Sequence, residues 1–413
     1  MPALMSIADA RRTLFARFHP LPLESVPIEE ADRRVLGEDV TASIDLPPFA
    51  NSSVDGFAVR ASEVASASPA TPLRLPVAGD IPAGAAQSAF LEVGHAARIM
   101  TGAPVPPGAD AVVPMEATDL DRASLGAPLP KVVNIHGAVE RGANVRPAGL
   151  DVRAGTLVLA RGTPLRPQEV ALLAALGRAQ VLAFRRPRVA ILSTGDELAA
   201  PGSSLRHGQI YESNAIMLAA MVRRAGGVAV DLGIARDNLQ EITTCLDWAV
   251  RDGADLIITS AGVSVGAFDL VRAAIEQHGT IEFWRVDLRP GKPLAFGQYR
   301  GAPILGLPGN PVSSFVTFEL FARDAMRALE GRAQRERQAI RVTVEEDLTS
   351  DGRESYLRAC LRREGREVYA RLVGEQASSV LSTLAASNGL LVIPSGMREV
   401  RAGSQLEAWP LED

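Results

Sequence analysis

Four short runs between residues 193 and 311 of this 413-residue chain carry residue types suited to binding anions and cations. They read Ser193-Thr194-Gly195-Asp196-Glu197, Thr259-Ser260-Ala261-Gly262-Val263-Ser264-Val265-Gly266-Ala267-Phe268-Asp269, Arg289-Pro290-Gly291-Lys292-Pro293 and Gly306-Leu307-Pro308-Gly309-Asn310-Pro311. Glycines and small hydroxyl residues let backbone N–H groups approach an anion closely, which suits Thr194, Gly195, Ser260, Gly262, Ser264 and Gly266 to phosphate. Asp196, Glu197, Asp237 and Asp269 offer the hard oxygens that Mg2+ prefers. Each acidic residue also has a structural use: Asp237 and Asp269 stand where helix caps belong, and Asp196 and Glu197 can decorate a turn. Arg289 and Lys292 can clamp an oxyanion or simply form a basic turn between two strands. The 259–269 run is neither a P-loop nor a Gly-x-Gly-x-x-Gly fingerprint, which argues against a generic ATPase or dehydrogenase. The combined chemistry is a metal-assisted reaction on a phosphorylated small molecule.

These runs need strands to present them, and each follows an apolar stretch. Strands are expected at 189–192, 228–230, 254–258 and 281–284, alternating with helices at 214–224, 239–249 and 270–278. A closing helix starts at Pro311, with Phe315, Phe318, Ala322, Met326 and Leu329 on one side. Such alternation implies a parallel sheet between helical layers, whose ligand sites lie beyond the carboxyl ends of the strands. Five strands follow at 340–344, 356–360, 368–372, 390–393 and 406–409, enough for a small barrel or sandwich. Upstream, Ser6 and Asp9 read as a capping box for a first helix, and a second short helix is expected at 28–36. Short strands at 73–77, 96–100 and 111–115 form a β-rich insertion, after which Pro167 opens a helix that Gly177 ends.

At this length one core is too few. Apolar residues make up 47% and charged residues 22%, as in ordinary globular proteins. A net charge of −5 gives no basic footprint for nucleic acid. Two cysteines, Cys245 and Cys360, fit a reducing compartment, and five histidines without ligand spacing give no histidine metal site. With no signal-like amino terminus and no apolar run of roughly 18 residues, a cytoplasmic protein free of membrane spans is expected.

Taken in order, these runs resemble the MoeA/gephyrin-type molybdenum insertases (molybdopterin molybdenumtransferases) over nearly the whole chain. Asn51-Ser52-Ser53-Val54-Asp55-Gly56-Phe57-Ala58-Val59-Arg60, Arg98-Ile99-Met100-Thr101-Gly102-Ala103-Pro104-Val105-Pro106 and Gly291-Lys292-Pro293-Leu294-Ala295-Phe296-Gly297 share in the resemblance. It implies a multidomain α/β protein with a discontinuous helical/β linker domain at 1–46 and 146–185 and a β-rich insertion at 47–145. A three-layer α/β/α molybdopterin-binding domain with a mainly parallel sheet is implied at 186–331, and a small β barrel at 332–413. It further implies an elongated homodimer and a transferase acting on adenylylated molybdopterin and molybdate with Mg2+, releasing AMP. An upstream adenylyltransferase and downstream molybdoenzymes are the partners this would serve. The roles it implies fall on Asp55, Thr101, Asp151, Glu197, Asp237, Asp269, Lys292, Pro308 and Pro311, with Ser260, Gly262, Ser264 and Gly266 against pterin or phosphate. The chain departs from the family pattern at Ala50, Val54, Phe57, Leu150, Ala261 and Arg289. A non-catalytic pterin binder or scaffold, and an insertase preferring tungstate, are the alternatives.

Overall fold

Ser6 opens the first helix, α1 (Ile7–Phe15), by accepting the Asp9 backbone N–H at 3.1 Å. Ile7, Ala10 and Leu14 are buried on one stripe, and Arg11 Nε donates to Asp324 Oδ2 at 2.8 Å. The computed structural model describes residues 4–86, 89–121, 127–260, 270–334 and 337–411, and the backbone but not the side chain of Phe283. The helix expected at 28–36 is not formed. Only a 3-10 turn, Ile28–Glu30, is present; Arg33 lies at φ 61°, and Val35 and Leu36 bridge to Pro164 and Ala183. So short a helix is marginal alone, and pairing with the returning segment buries Val35 and Leu36 together, which a helix could not do from one face. Strand Leu23–Pro27 pairs antiparallel with Gln180–Phe184, and helix α2 (Pro167–Ala175) closes a shared core around Leu36, Leu165, Leu173 and Val181.

Between these two segments, strands Gly56–Val59, Leu73–Ile81, Ala96–Ile99, Ala111–Pro114 and Val132–Ile135 form a five-stranded sheet. One face packs around Phe57, Val113 and Ile135, the other around Ile81, Ile99 and Val112.

The central sheet contains β1 (Arg188–Thr194), β2 (Val228–Ala235), β3 (Leu256–Ser260), β4 (Gly279–Arg285), β5 (Pro293–Tyr299) and β6 (Ala302–Leu307). Their spatial order is β2-β1-β3-β6-β5-β4, parallel from β2 to β6, with β5 alone reversed and pairing antiparallel with both β6 and β4. Strands β1 and β3 alternate their side chains between two cores. Val189, Ile191, Leu256 and Ile258 pack with α3 (Asn214–Arg224) and the helix from Pro311, whereas Ala190, Leu192 and Ile257 pack with α4 (Leu239–Arg251) and α5 (Leu270–His278). The chain leaves β1 for one side of the sheet and returns to β3 on the other, so strand order reverses between β1 and β3. Such a switch point leaves a crevice at the strands' carboxyl ends. The closing helix runs as α6 (Pro311–Thr317), a π turn (Phe318–Ala322) and α7 (Arg323–Leu329).

Downstream, strands Glu354–Glu364, Glu367–Leu372, Ile340–Val344, Gln405–Pro410 and Gly389–Ile393 pair in that order, and the last returns to the first, closing a barrel. Val342, Leu357, Ala370, Leu391 and Leu406 fill it. The short strand Leu288–Arg289 leaves the central unit and pairs with Glu354 and Ser355, tying the two together. Among the described residues, no helix is long and apolar enough to cross a membrane.

Candidate functional site

The sheet delivers its polar residues at the ends of adjacent strands. Strand β1 is buried through Ser193 and Thr194 and then turns at Gly195, whose φ of 146° favours glycine. Gly195 donates to the Ala235 carbonyl at the end of β2 (3.2 Å). The Glu197 carboxylate folds back over Gly195 so closely that an added Cβ would lie 2.5 Å from Oε2. Glu197's own carbonyl accepts Ile210 N–H at 2.8 Å, fixing the loop.

Asp196 Oδ1 accepts the Asp237 backbone N–H at 3.3 Å, joining the loops after β1 and β2. Asp196, Glu197 and Asp237 are all exposed. The cap of α4 is Asn238, not Asp237: Asn238 Oδ1 accepts Gln240 N–H (2.9 Å) and Glu241 N–H (3.1 Å). The Asp237 carboxylate is thereby left out of helix capping. Among the described residues, no three His, Cys, Asp or Glu side chains are gathered to hold a metal ion. Asp269, together with Gly262, Ser264, Gly266 and the departure at Ala261, lies outside the described residues.

Two residues that sequence reading missed hold these strand ends together. Buried Glu212 accepts the Ser193 hydroxyl (3.0 Å) and Ala215 N–H (2.7 Å), pinning the start of α3 to β1. Asn214 Nδ2 donates to Ser260 Oγ at the end of β3 (2.9 Å) and to the Gly309 carbonyl beyond β6 (2.7 Å). In sequence both look like ordinary residues at a helix start; only the strand order brings their partners together. Pro308 is buried, and Pro311 occupies the first position of α6, where its missing N–H is no loss.

The barrel also reaches this edge. Asn310 Nδ2 donates to Ser378 Oγ at 3.0 Å, and Val312 N–H donates to the Ser378 carbonyl at 3.1 Å. Arg358, fully buried in strand Glu354–Glu364, holds that segment: its guanidinium donates to the carbonyls of Glu375, Gln376 and Ala377 and to Thr383 Oγ1. Burial lowers the Arg358 pKa, and the positive charge of Arg289 lowers it further, so two cations lie near one another here. A lone arginine inside an apolar strand run was the available signal for Arg358. Half-buried Arg289 and exposed Lys292 flank Gly291, which at φ 112° lies against the Thr317 side chain of α6. Lys292 returns its carbonyl to Val286 N–H at 3.0 Å.

The remaining candidates lie upstream. Asp55 Oδ1 accepts both the Thr101 backbone N–H (2.8 Å) and the Thr101 hydroxyl (2.9 Å), while the Asp55 carbonyl accepts Met115 N–H. Asp151 is exposed and tethered by its own N–H to the Leu46 carbonyl at 2.9 Å. The structure therefore joins Asp55 to Thr101, Asp196 to the backbone of Asp237, and Ser260 to Gly309 through Asn214.

Three family models match nearly the whole chain. They are the MoeA N-terminal region (domain I and II) at residues 5–177, a probable molybdopterin binding domain at 190–328, and the MoeA C-terminal region (domain IV) at 341–411. Molybdopterin molybdenumtransferase 2 of Mycobacterium tuberculosis strain H37Rv is 45% identical, covering 99% of this chain and 100% of that protein. The molybdopterin molybdenumtransferase of Haemophilus influenzae is 34% identical, covering 98% of each. A structure of the molybdopterin biosynthesis MoeA protein from Pyrococcus horikoshii OT3 matches with a TM-score of 0.80 at 29% identity, covering 98% of this chain and 99% of that one.

Proposed function

We propose, starting from the fact that this chain belongs to the MoeA family of molybdopterin molybdenumtransferases, that it inserts molybdate into adenylylated molybdopterin and releases AMP. The observation that carries this reading is that Thr194, Asp196, Glu197 and Ser260 stand at the carboxyl ends of the neighbouring strands β1 and β3, on either side of the sheet's switch point, with Pro308 beyond the adjacent β6. The substrate is strongly anionic, with a phosphoanhydride, a dithiolate and an incoming oxyanion. Cleaving it requires oriented donors and cations more than a nucleophilic side chain.

In this reading Thr194, Gly195, Ser260 and the 262–266 loop contact pterin and phosphate, and Arg289 and Lys292 hold the oxyanion. Pro308 and Pro311 stiffen the loop beneath the ligand. The exposed carboxylates of Asp196 and Glu197 fit Mg2+, which takes one or two carboxylates and completes its shell with water and substrate phosphate rather than with a protein cage. Asp237 and Asp269 supplement them. When bound, the ion neutralises charge on the bridging phosphates. An attacking oxygen, from water or molybdate, bonds to the adenylate phosphorus as its bond to the bridging oxygen breaks. AMP leaves with the new oxygen and the pterin keeps its terminal phosphate. The dithiolene sulfurs replace an oxygen on molybdenum, a Mo–O bond breaking so that this oxygen departs in AMP when molybdate attacks or as water, with protons from the thiols and solvent, when water attacks.

Asp55, held by Thr101, and Asp151 form the opposite wall of the cleft, supplied by a second copy in a homodimer. The protein then works in the cytoplasm, between an adenylyltransferase and the molybdoenzymes that use its product.

Glu197→Gln tests the reading. The substitution keeps the side chain's shape and removes its charge, so AMP release should fall at least about a hundredfold with the melting temperature nearly unchanged. Wild-type turnover in that variant would remove Glu197 from the mechanism.

A further inference from the structure

We infer that the first turn of α3 is the positioning element of the strand-end site, with Asn214 setting the spacing between Ser260 at the end of β3 and Gly309 beyond β6. The inference rests on the reading of the site proposed above and adds residues to it. Strands β1, β3 and β6 are consecutive neighbours in the sheet, yet their carboxyl-end loops are separated by long stretches of sequence. Nothing in a parallel ladder fixes loops beyond its last hydrogen bond.

Glu212 and Asn214, two residues apart, supply that fixing. The first takes hold of β1 at Ser193; the second reaches β3 at Ser260 and the loop beyond β6 at Gly309. Glu212 also accepts Ala215 N–H, so the turn that carries both side chains is itself anchored. Asn214 Nδ2 has two N–H donors, and both are committed. Its Oδ1 is buried without a hydrogen-bond partner, so the clamp depends on the amide nitrogen alone. One planar group thus sets where Ser260 and Gly309 stand relative to each other. Asn214 acts through Ser260 and Gly309 and is a positioning residue, not a catalytic one.

Asn214→Ala removes both bonds. Asn214→Asp keeps the shape but sets an acceptor against the Gly309 carbonyl, so it breaks that arm of the clamp without leaving a cavity, while the Ser260 hydroxyl can turn to donate to it. Tyr299→Phe is the control: Tyr299 is buried in the same unit at the opposite end of the sheet, and its hydroxyl donates to Asp247 at 2.7 Å.

Molybdopterin binding by titration calorimetry and KM against kcat for AMP release are the readouts. Both Asn214 variants should weaken binding about tenfold, as though the displaced site lost one hydrogen bond to the ligand, and raise KM more than they lower kcat. Tyr299→Phe should lower the melting temperature and leave binding unchanged. Wild-type protein that does not bind molybdopterin would overturn the reading of the site, and the inference with it. Wild-type binding with both Asn214 variants unaffected would overturn the inference alone, as would an equal loss in Tyr299→Phe. Should Asn214→Ala fail to fold, the isosteric Asn214→Asp decides.

Discussion

Gly195 determines where the Glu197 carboxylate lies. The backbone turns at a positive φ and the carboxylate occupies the space a Cβ would need. Gly195→Ala must therefore strain the turn and push Glu197 away. An ångström of misplacement near a reacting centre lowers rates by about a hundredfold, so AMP release by Gly195→Ala should approach that of Glu197→Gln. Near-normal release would mean that Glu197 acts from another position or not at all. The strand end and turn at Ser193 to Gly195 were legible because an apolar run stops at a glycine there. Glu212, Asn214 and Arg358 were not: each takes its meaning from partners 17 to 95 residues away in sequence. The cap of α4 shows the limit at single-residue resolution, since Asp237 and Asn238 are equally able caps and only the backbone path selects Asn238.

At the scale of elements, long apolar runs with regular period were legible. Helix α3 spans Asn214–Arg224, where its pattern places it, and strands fall in all five expected stretches of the barrel. Segment 28–36 was misread because its apolar residues are consumed by pairing with a strand some 150 residues later, which no local pattern reports.

The end of α7 carries a testable consequence of such packing. Glu330 is buried where α7 meets Gly226, facing Arg332 and Arg327 from its own segment, Arg186 just before β1 and Arg34 from the linker. Burial pushes its carboxyl up to about 7 from 4.5, against the pull of those guanidiniums. The folded state thus holds the proton more tightly than the unfolded state. The associated stability is fully present below pH 4.5 and is lost as pH rises through about 7, an effect of roughly 3 kcal/mol. Glu330→Gln, neutral throughout, should therefore gain on wild type in thermal unfolding between pH 5 and pH 8. A variant that loses ground over that range would mean the four arginines outweigh burial and keep Glu330 ionised.

Over the whole molecule, the first helix, the central sheet, the closing helix and the barrel share one core, in which Leu14, Phe296, Phe318, Tyr356, Leu390 and Trp409 cluster, and the strand-end site lies beside the seam with the barrel. The barrel docks through Ser378 on the Asn310 loop, while Leu288–Arg289 leaves the central unit to join the barrel's first strand. The basic turn Arg289–Lys292 is thereby held between two units. The order of motifs along the chain made this multidomain plan legible; the docking contacts were not, because they join surfaces that carry no periodic signal. AMP release from adenylylated molybdopterin by the purified protein, with Mg2+ and molybdate each present or omitted, tests the central claim most directly. Release that requires both, with metal-loaded pterin formed, is the predicted result. Tight pterin binding without release under any of these conditions would contradict it and make the protein a binder.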